Sequence, residues 1–228
     1  MSMIINPSRV LVDDSSFSFE QVRLALSDAN SASYGITLSA DDVGPQTVNK
    51  RFIVIAATYN NSSNHTQSIS GFSGGTLWDT YTATGGSNLN VKCFLYEYNS
   101  ASSVSFQINT TATVQNCHIA VWRVTGCTAN AFVEQVTATA GFLASSVSVA
   151  VDTPANGGAA LFWFLPGITS ITPAWTNATE DAASNSAEVM CRVASRIVTT
   201  AETGTTVSFA PTSGQVTQSR LTGVSLGP

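Results

Sequence analysis

Charge is scarce in this sequence. Asp, Glu, Lys and Arg together make up 10% of the residues, against roughly 25% in ordinary soluble domains. Only two lysines occur, Lys50 and Lys92, and 9 basic residues face 14 acidic ones, for a net charge of −5. Nucleic-acid binding by counterion release needs clustered Lys and Arg, so this balance argues against a nucleic-acid partner. No apolar run approaches the roughly 18 residues needed to span a bilayer, and membrane insertion is not expected. The opening Met1-Ser2-Met3-Ile4-Ile5-Asn6-Pro7 lacks a basic n-region and a continuous apolar stretch, so it does not read as a secretory signal. The expectation is a chain made in a cytoplasm that leaves it by lysis or within a particle.

Metal-ligating and catalytic patterns are equally sparse. Cys93, Cys117, Cys127 and Cys191 show no C-x-x-C spacing and no His at zinc-finger distance, which predicts buried free thiols rather than a metal site. Cys93 shares the parity of Val91 and Leu95, and Cys191 that of Val189 and Val193, where small core residues belong. The two histidines, His65 and His118, read as a solvated loop residue and a strand-end residue. The acid pairs Asp13/Asp14, Asp41/Asp42 and Glu180/Asp181 point apart in an extended chain, and none has the alternating acids of a calcium loop. Gly71-Phe72-Ser73-Gly74-Gly75 fits G-x-S-x-G, but a nucleophile elbow needs a helix after it. Here Thr76-Leu77-Trp78 follows as a strand, so the motif reads as a hairpin turn joining Ser68–Ser70 to Thr76–Tyr81. Neither a catalytic residue nor a cofactor is expected.

What the sequence does hold is β-prone apolar stretches bracketed by turn residues. Arg51 to Tyr59 is the strongest, echoed by His118 to Val124 and Gly158 to Leu165, and the richness in Ile, Val, Phe and Trp favours strands. Val147, Val149 and Val151 alternate cleanly with Ser146, Ser148 and Ala150. Phe17 to Leu26 leans to strand over a short helix, and Ala40 to Pro45 reads as a loop. About a dozen short strands with turn signals every 8 to 15 residues, and no long helix, predict an all-β fold of β-sandwich or jelly-roll type. The domain reading is an arm over 1–15 followed by a sandwich body over 16–228. In the arm Ile4, Ile5, Asn6, Pro7, Val10 and Leu11 follow no strand or helix period, and its apolar residues can pack on the body or dock on another chain. On Val91 to Tyr98 one parity carries Phe94, Tyr96 and Tyr98, which either lies under a second layer or meets a partner.

The segment Ile119 to Gly126, with the Arg51 to Thr58 strand and the Gly157 to Leu161 run, resembles β-sandwich proteins of tailed-bacteriophage virions. The opening Ile4-Ile5-Asn6-Pro7-Ser8-Arg9-Val10 resembles the short Ile-Asn-Pro-Tyr-Arg-Phe arm that begins many phage structural proteins, with Ser8 and Val10 in place of its aromatic residues. The resemblance implies a virion component such as a head decoration, head spike or tail-tip protein. It implies docking through the arm on capsid or tail proteins, homo-oligomerisation, and assembly in the bacterial host cytoplasm. A reading of a different class is a carbohydrate-binding or adhesin module that meets a host-surface glycan through Tyr81, Tyr96 or Tyr98.

Overall fold

A strand that is apolar at successive positions, rather than at alternate ones, must be covered on both faces. Arg51–Tyr59 and Gly158–Pro166 are such strands, and the architecture is built around them. A computed structural model of the chain describes residues 17–60, 65–83, 89–140, 145–166, 173–185, 189–211 and 219–228. The first half runs β1 (Ser18–Ser27), β2 (Ser31–Leu38), the single-turn helix α1 (Ala40–Val43), β3 (Arg51–Tyr59), β4 (Gln67–Ser70), β5 (Thr76–Ala83), β6 (Leu89–Glu97), β7 (Val104–Val114) and β8 (Asn116–Thr125). The second half runs β9 (Glu134–Thr139), β10 (Val147–Thr153), β11 (Gly158–Pro166), β12 (Pro173–Thr176), β13 (Thr179–Asn185), β14 (Val189–Ile197), β15 (Glu202–Pro211) and β16 (Arg220–Leu226).

The two halves follow one path twice. In the first, a five-stranded sheet β1-β8-β3-β6-β5 faces a three-stranded sheet β2-β7-β4; in the second, β9-β16-β11-β14-β13 faces β10-β15-β12. Adding eight to each strand number of the first half reproduces the second, and every pairing is antiparallel. Within each half the first strand pairs with the last, the second with the last but one, and the third with the sixth. Each half, or roll, is therefore an antiparallel sandwich of a five-stranded and a three-stranded sheet. The all-β sandwich expectation therefore holds, with sixteen strands among the described residues, in two rolls instead of about a dozen in one.

Three cores result. Phe52, Val54, Phe94, Phe106 and Ile108 fill the first roll, and Leu161, Trp163, Val207 and Phe209 fill the second. Between the rolls, the outward faces of the two five-stranded sheets close on each other: Ile53, Ile55, Leu95 and Trp122 meet Phe162, Phe164, Val193 and Leu226. The molecule is thus a stack of four sheets of three, five, five and three strands, and its two central sheets are buried on both sides. All four cysteines are free and buried, and Cys93 and Cys191 lie in the middle core as their parity predicts.

The hairpin expected between Ser68–Ser70 and Thr76–Tyr81 does not form. β4 pairs with β7 and β5 pairs with β6 in the other sheet, so Gly71 to Gly75 carries the chain across the sandwich. Gly71 and Gly74 take the left-handed φ values of 82° and 79° that this crossing needs. Phe72 drops inward between them and stacks on Tyr96 at 4.4 Å between ring centroids. The Ala40 to Pro45 loop contains one helical turn, closed by a reciprocal capping box between Ser39 and Asp42. Beside it the fully buried Lys50 donates from Nζ to the carbonyls of Val43, Pro45 and Ser100 at 3.1, 2.8 and 2.6 Å.

The first described residues, the link between the rolls and the C-terminus gather at one end. Ser18 Oγ lies 2.7 Å from Thr125 Oγ1, and the Cys127 thiol donates to the Gly227 carbonyl at 3.1 Å. Gly158 admits Phe19 so closely that a Cβ there would stand 2.7 Å from its ring.

Candidate functional site

The docking residues named from the sequence, Ile4, Ile5, Asn6, Pro7, Val10 and Leu11, lie outside the described residues. Two of the three candidate contact tyrosines are corrected. Tyr96 and Tyr98 are each 6% exposed and pack in the core of the first roll, with Tyr98 edge-on to Phe52 and Phe72; the three-stranded sheet covers the face that the sequence left open. Tyr81 is half-buried on the edge strand β5 against the middle core, and burial raises its phenol pKa.

Both histidines are also corrected. His65 is buried, and its Nε2 lies 2.6 Å from Thr58 Oγ1. His118 is sealed inside the middle core, edge-on to Phe164 of the other roll at 5.1 Å, with neither ring nitrogen hydrogen-bonded among the described residues. The register β3–β8 and β11–β16 makes His118 the counterpart of Arg220, since they pair with the equivalent residues Ala57 and Phe164. Arg220 is buried too, and crosses between the rolls to donate from Nη1 to the carbonyls of Ala83 and Leu89 at 3.1 and 2.7 Å.

Burial pushes the His118 imidazole down to about 4 from 6.5, against a smaller opposing pull from Asp28. The folded state therefore binds this proton less readily than the unfolded chain, so His118 leaves stability untouched above about pH 6.5 and reduces it as pH falls toward 4. Over that window the loss is about 3 kcal/mol. In urea unfolding at pH 7 and pH 4, His118→Leu is expected to be less acid-sensitive than the wild type by about that amount; equal pH dependence in the two proteins would contradict the buried neutral imidazole.

The G-x-S-x-G stretch runs strand–turn–strand, with no helix after Ser73. Glu180 and Asp181 point apart as expected. Glu180 accepts from the Trp175 indole at 3.2 Å, and Asp181 accepts from the Trp122 indole at 3.1 Å and from Ser195 Oγ at 2.8 Å. Burial raises the Asp181 carboxyl pKa; it borders an open cleft of about 610 Å³, and each of its oxygens already accepts a hydrogen bond. Among the described residues, no group of three or more His, Cys, Asp and Glu side chains could hold a metal ion, and no helix is long and apolar enough to cross a membrane.

A surface feature that the sequence reading missed stands on β5. The register slips between Leu77 and Asp79, and this bulge on an edge strand re-aims side chains, leaving Leu77 45% and Trp78 42% exposed. The Trp78 indole donates to Glu97 Oε2 at 3.1 Å and lies over the buried Arg51 guanidinium, 5.9 Å from the ring centroid. Glu97 in turn accepts from Asn99 Nδ2 at 2.9 Å and pairs with Arg51 at 3.1 Å. These hydrogen bonds, from Asn99 first, hold its carboxyl below the usual range. Beyond Glu97 opens a cleft of about 350 Å³ lined by Gln46, Gly74, Thr76, Glu97, Asn99 and Ser100. The one sequence signal was the adjacent Leu77-Trp78, since strict alternation would have buried one of them.

Compared with known proteins, the chain matches no family model, no curated protein and no solved structure.

Proposed function

We propose that this chain is a structural or accessory component of a tailed-bacteriophage virion, of head-decoration, head-spike or tail-tip type. In this reading the N-terminal arm fixes the body to capsid or tail proteins, and the body packs beside copies of itself. The observation that carries the reading is where the duplication starts. The repeated path opens at β1 with Ser18 and closes at β16 with Leu226, so each strand of one roll has its counterpart in the other without residues 1–16. The apolar Ile4, Ile5, Val10 and Leu11 precede that repeated path in the sequence.

The outer sheet of the first roll supports the same reading. On the exposed face of β2, β4 and β7, Ser33 bonds to Gln107 and Asn109, Thr37 to Ser105, and Asn109 to Ser70. Such a face of hydroxyl and amide groups carries no charge, and packing it against a neighbour avoids the desolvation cost of buried ions. Gold-labelled antibody against the body, imaged on purified particles from producing cells, tests the proposal. Label at regular positions on the head or tail is expected; unlabelled particles with all of the protein in the soluble fraction would refute it.

A further inference from the structure

The geometry points to a binding site for a neutral pyranose oligosaccharide, built from the exposed indole of Trp78 and the cleft beside it. This inference is independent of the virion reading, because every residue of the site belongs to the body. A pyranose ring offers an apolar C–H face and a rim of hydroxyl groups. A matching site needs an aromatic plate flanked by small polar groups. Trp78 supplies the plate. The 3% exposed Arg51 seals one side of the indole, so its 42% exposure presents the other side to solvent. The indole N–H is committed to Glu97, which fixes the ring and lowers the ordering cost of binding. Thr76, Gln46, Asn99 and Ser100 line the adjoining cleft and bring hydroxyl and amide groups to the hydroxyl rim.

The fold alone does not require this constellation. Arg51 pairs in register with Glu97, as Gly158 does with Ile197 in the second roll, and the second roll forms the same sheet without either charged group. Nor does the bulge demand an exposed aromatic, since the bulge on β13 turns Asp181 into a hydrogen bond with Trp122 instead. The charge of the site selects among sugars. Of the Arg51–Glu97 pair it is the carboxylate that faces solvent, with 25% of its side chain exposed against 4% for Arg51, so the site opposes uronic and sialic acids and leaves neutral hexoses and N-acetylhexosamines as the fitting class.

The test uses the four tryptophan indole N–H signals of the full-length ¹⁵N-labelled protein, with Trp78 identified through Trp78→Phe. Maltohexaose and chitohexaose are titrated as neutral probes, and the hexamer of galacturonic acid as the charged one. At least one neutral hexamer is expected to move the Trp78 signal, with Trp175 unmoved. Trp78→Ala is expected to weaken binding about tenfold or more, and Trp78→Phe, which keeps a plate, to weaken it less. The inference is overturned if neither neutral hexamer moves the Trp78 signal, if Trp78→Ala binds unchanged, or if the acidic hexamer binds as tightly as the neutral ones. Trp78→Ala also removes the donor to Glu97 and the cover over Arg51, so its urea midpoint is measured beside its binding; should it not fold, the direct signal shift and Trp78→Phe decide the matter.

Discussion

Replacing Trp122 by alanine is expected to cost about 3–5 kcal/mol of unfolding free energy, the range for emptying a large aromatic site in a packed core. Trp122 is fully buried in the middle core, where the two five-stranded sheets close on each other. Its indole also donates across from the first roll to Asp181 of the second at 3.1 Å. The substitution therefore opens a cavity between the rolls and leaves one carboxylate oxygen without its donor, and a hydrogen bond to a charged group contributes about 1.5–3 kcal/mol. Trp122→Phe retains most of the ring volume and isolates that second loss. Urea unfolding followed by circular dichroism, with Val48→Ala at a 69% exposed position as the surface control near zero, measures both. Because the middle core is shared, the loss should appear as one shifted transition that spans both rolls. A cost below about 1 kcal/mol, or separate transitions for the two rolls in the wild type, would contradict the four-sheet stack.

The strands at the centre of this stack were the most legible part of the sequence, and the reason is their double burial. Arg51–Tyr59 runs between the bounds expected of it, because residues covered on both faces leave a nearly unbroken apolar run. The same property hid the destination of Tyr96 and Tyr98. In a doubly covered strand both parities are apolar, and nothing within the strand says which layer lies over which face. The duplication was illegible for a related reason. Equivalent positions carry unlike residues, such as Arg51 and Gly158, Glu97 and Ile197, and His118 and Arg220, so the two rolls share a path but no sequence period.

The hairpin expected at Gly71 to Gly75 failed on long-range pairing. Two adjacent short strands with a glycine turn read alike whether they pair with each other or part to opposite sheets. The Trp78 cleft was missed because a bulge is set by the pairing partner, here Tyr96 and Leu95 on β6, which local sequence does not encode. His65 was misplaced because its loop is polar, whereas its buried neighbours Thr58 and Gln67 supply polar cover inside: Gln67 Nε2 donates to Thr58 Oγ1 at 2.5 Å.

Deletion of residues 1–12 bears on the proposed function most directly. Ile4, Ile5, Val10 and Leu11 would each contribute roughly 1.5–3 kcal/mol when buried on a partner, less the cost of ordering the arm. That sum is large enough for its loss to abolish attachment. The body should be indifferent, since the duplicated path starts at Ser18, and its urea midpoint should change by no more than a surface substitution does, within about 0.5 kcal/mol. The measurement is co-sedimentation: full-length and truncated protein are expressed in producing cells, particles are purified on a density gradient, and the chain is quantified in the particle and soluble fractions. The full-length chain is expected with the particles and the truncated chain, folded, in the soluble fraction; truncated protein that is incorporated at the full-length level, or that unfolds or aggregates, would contradict docking through the arm.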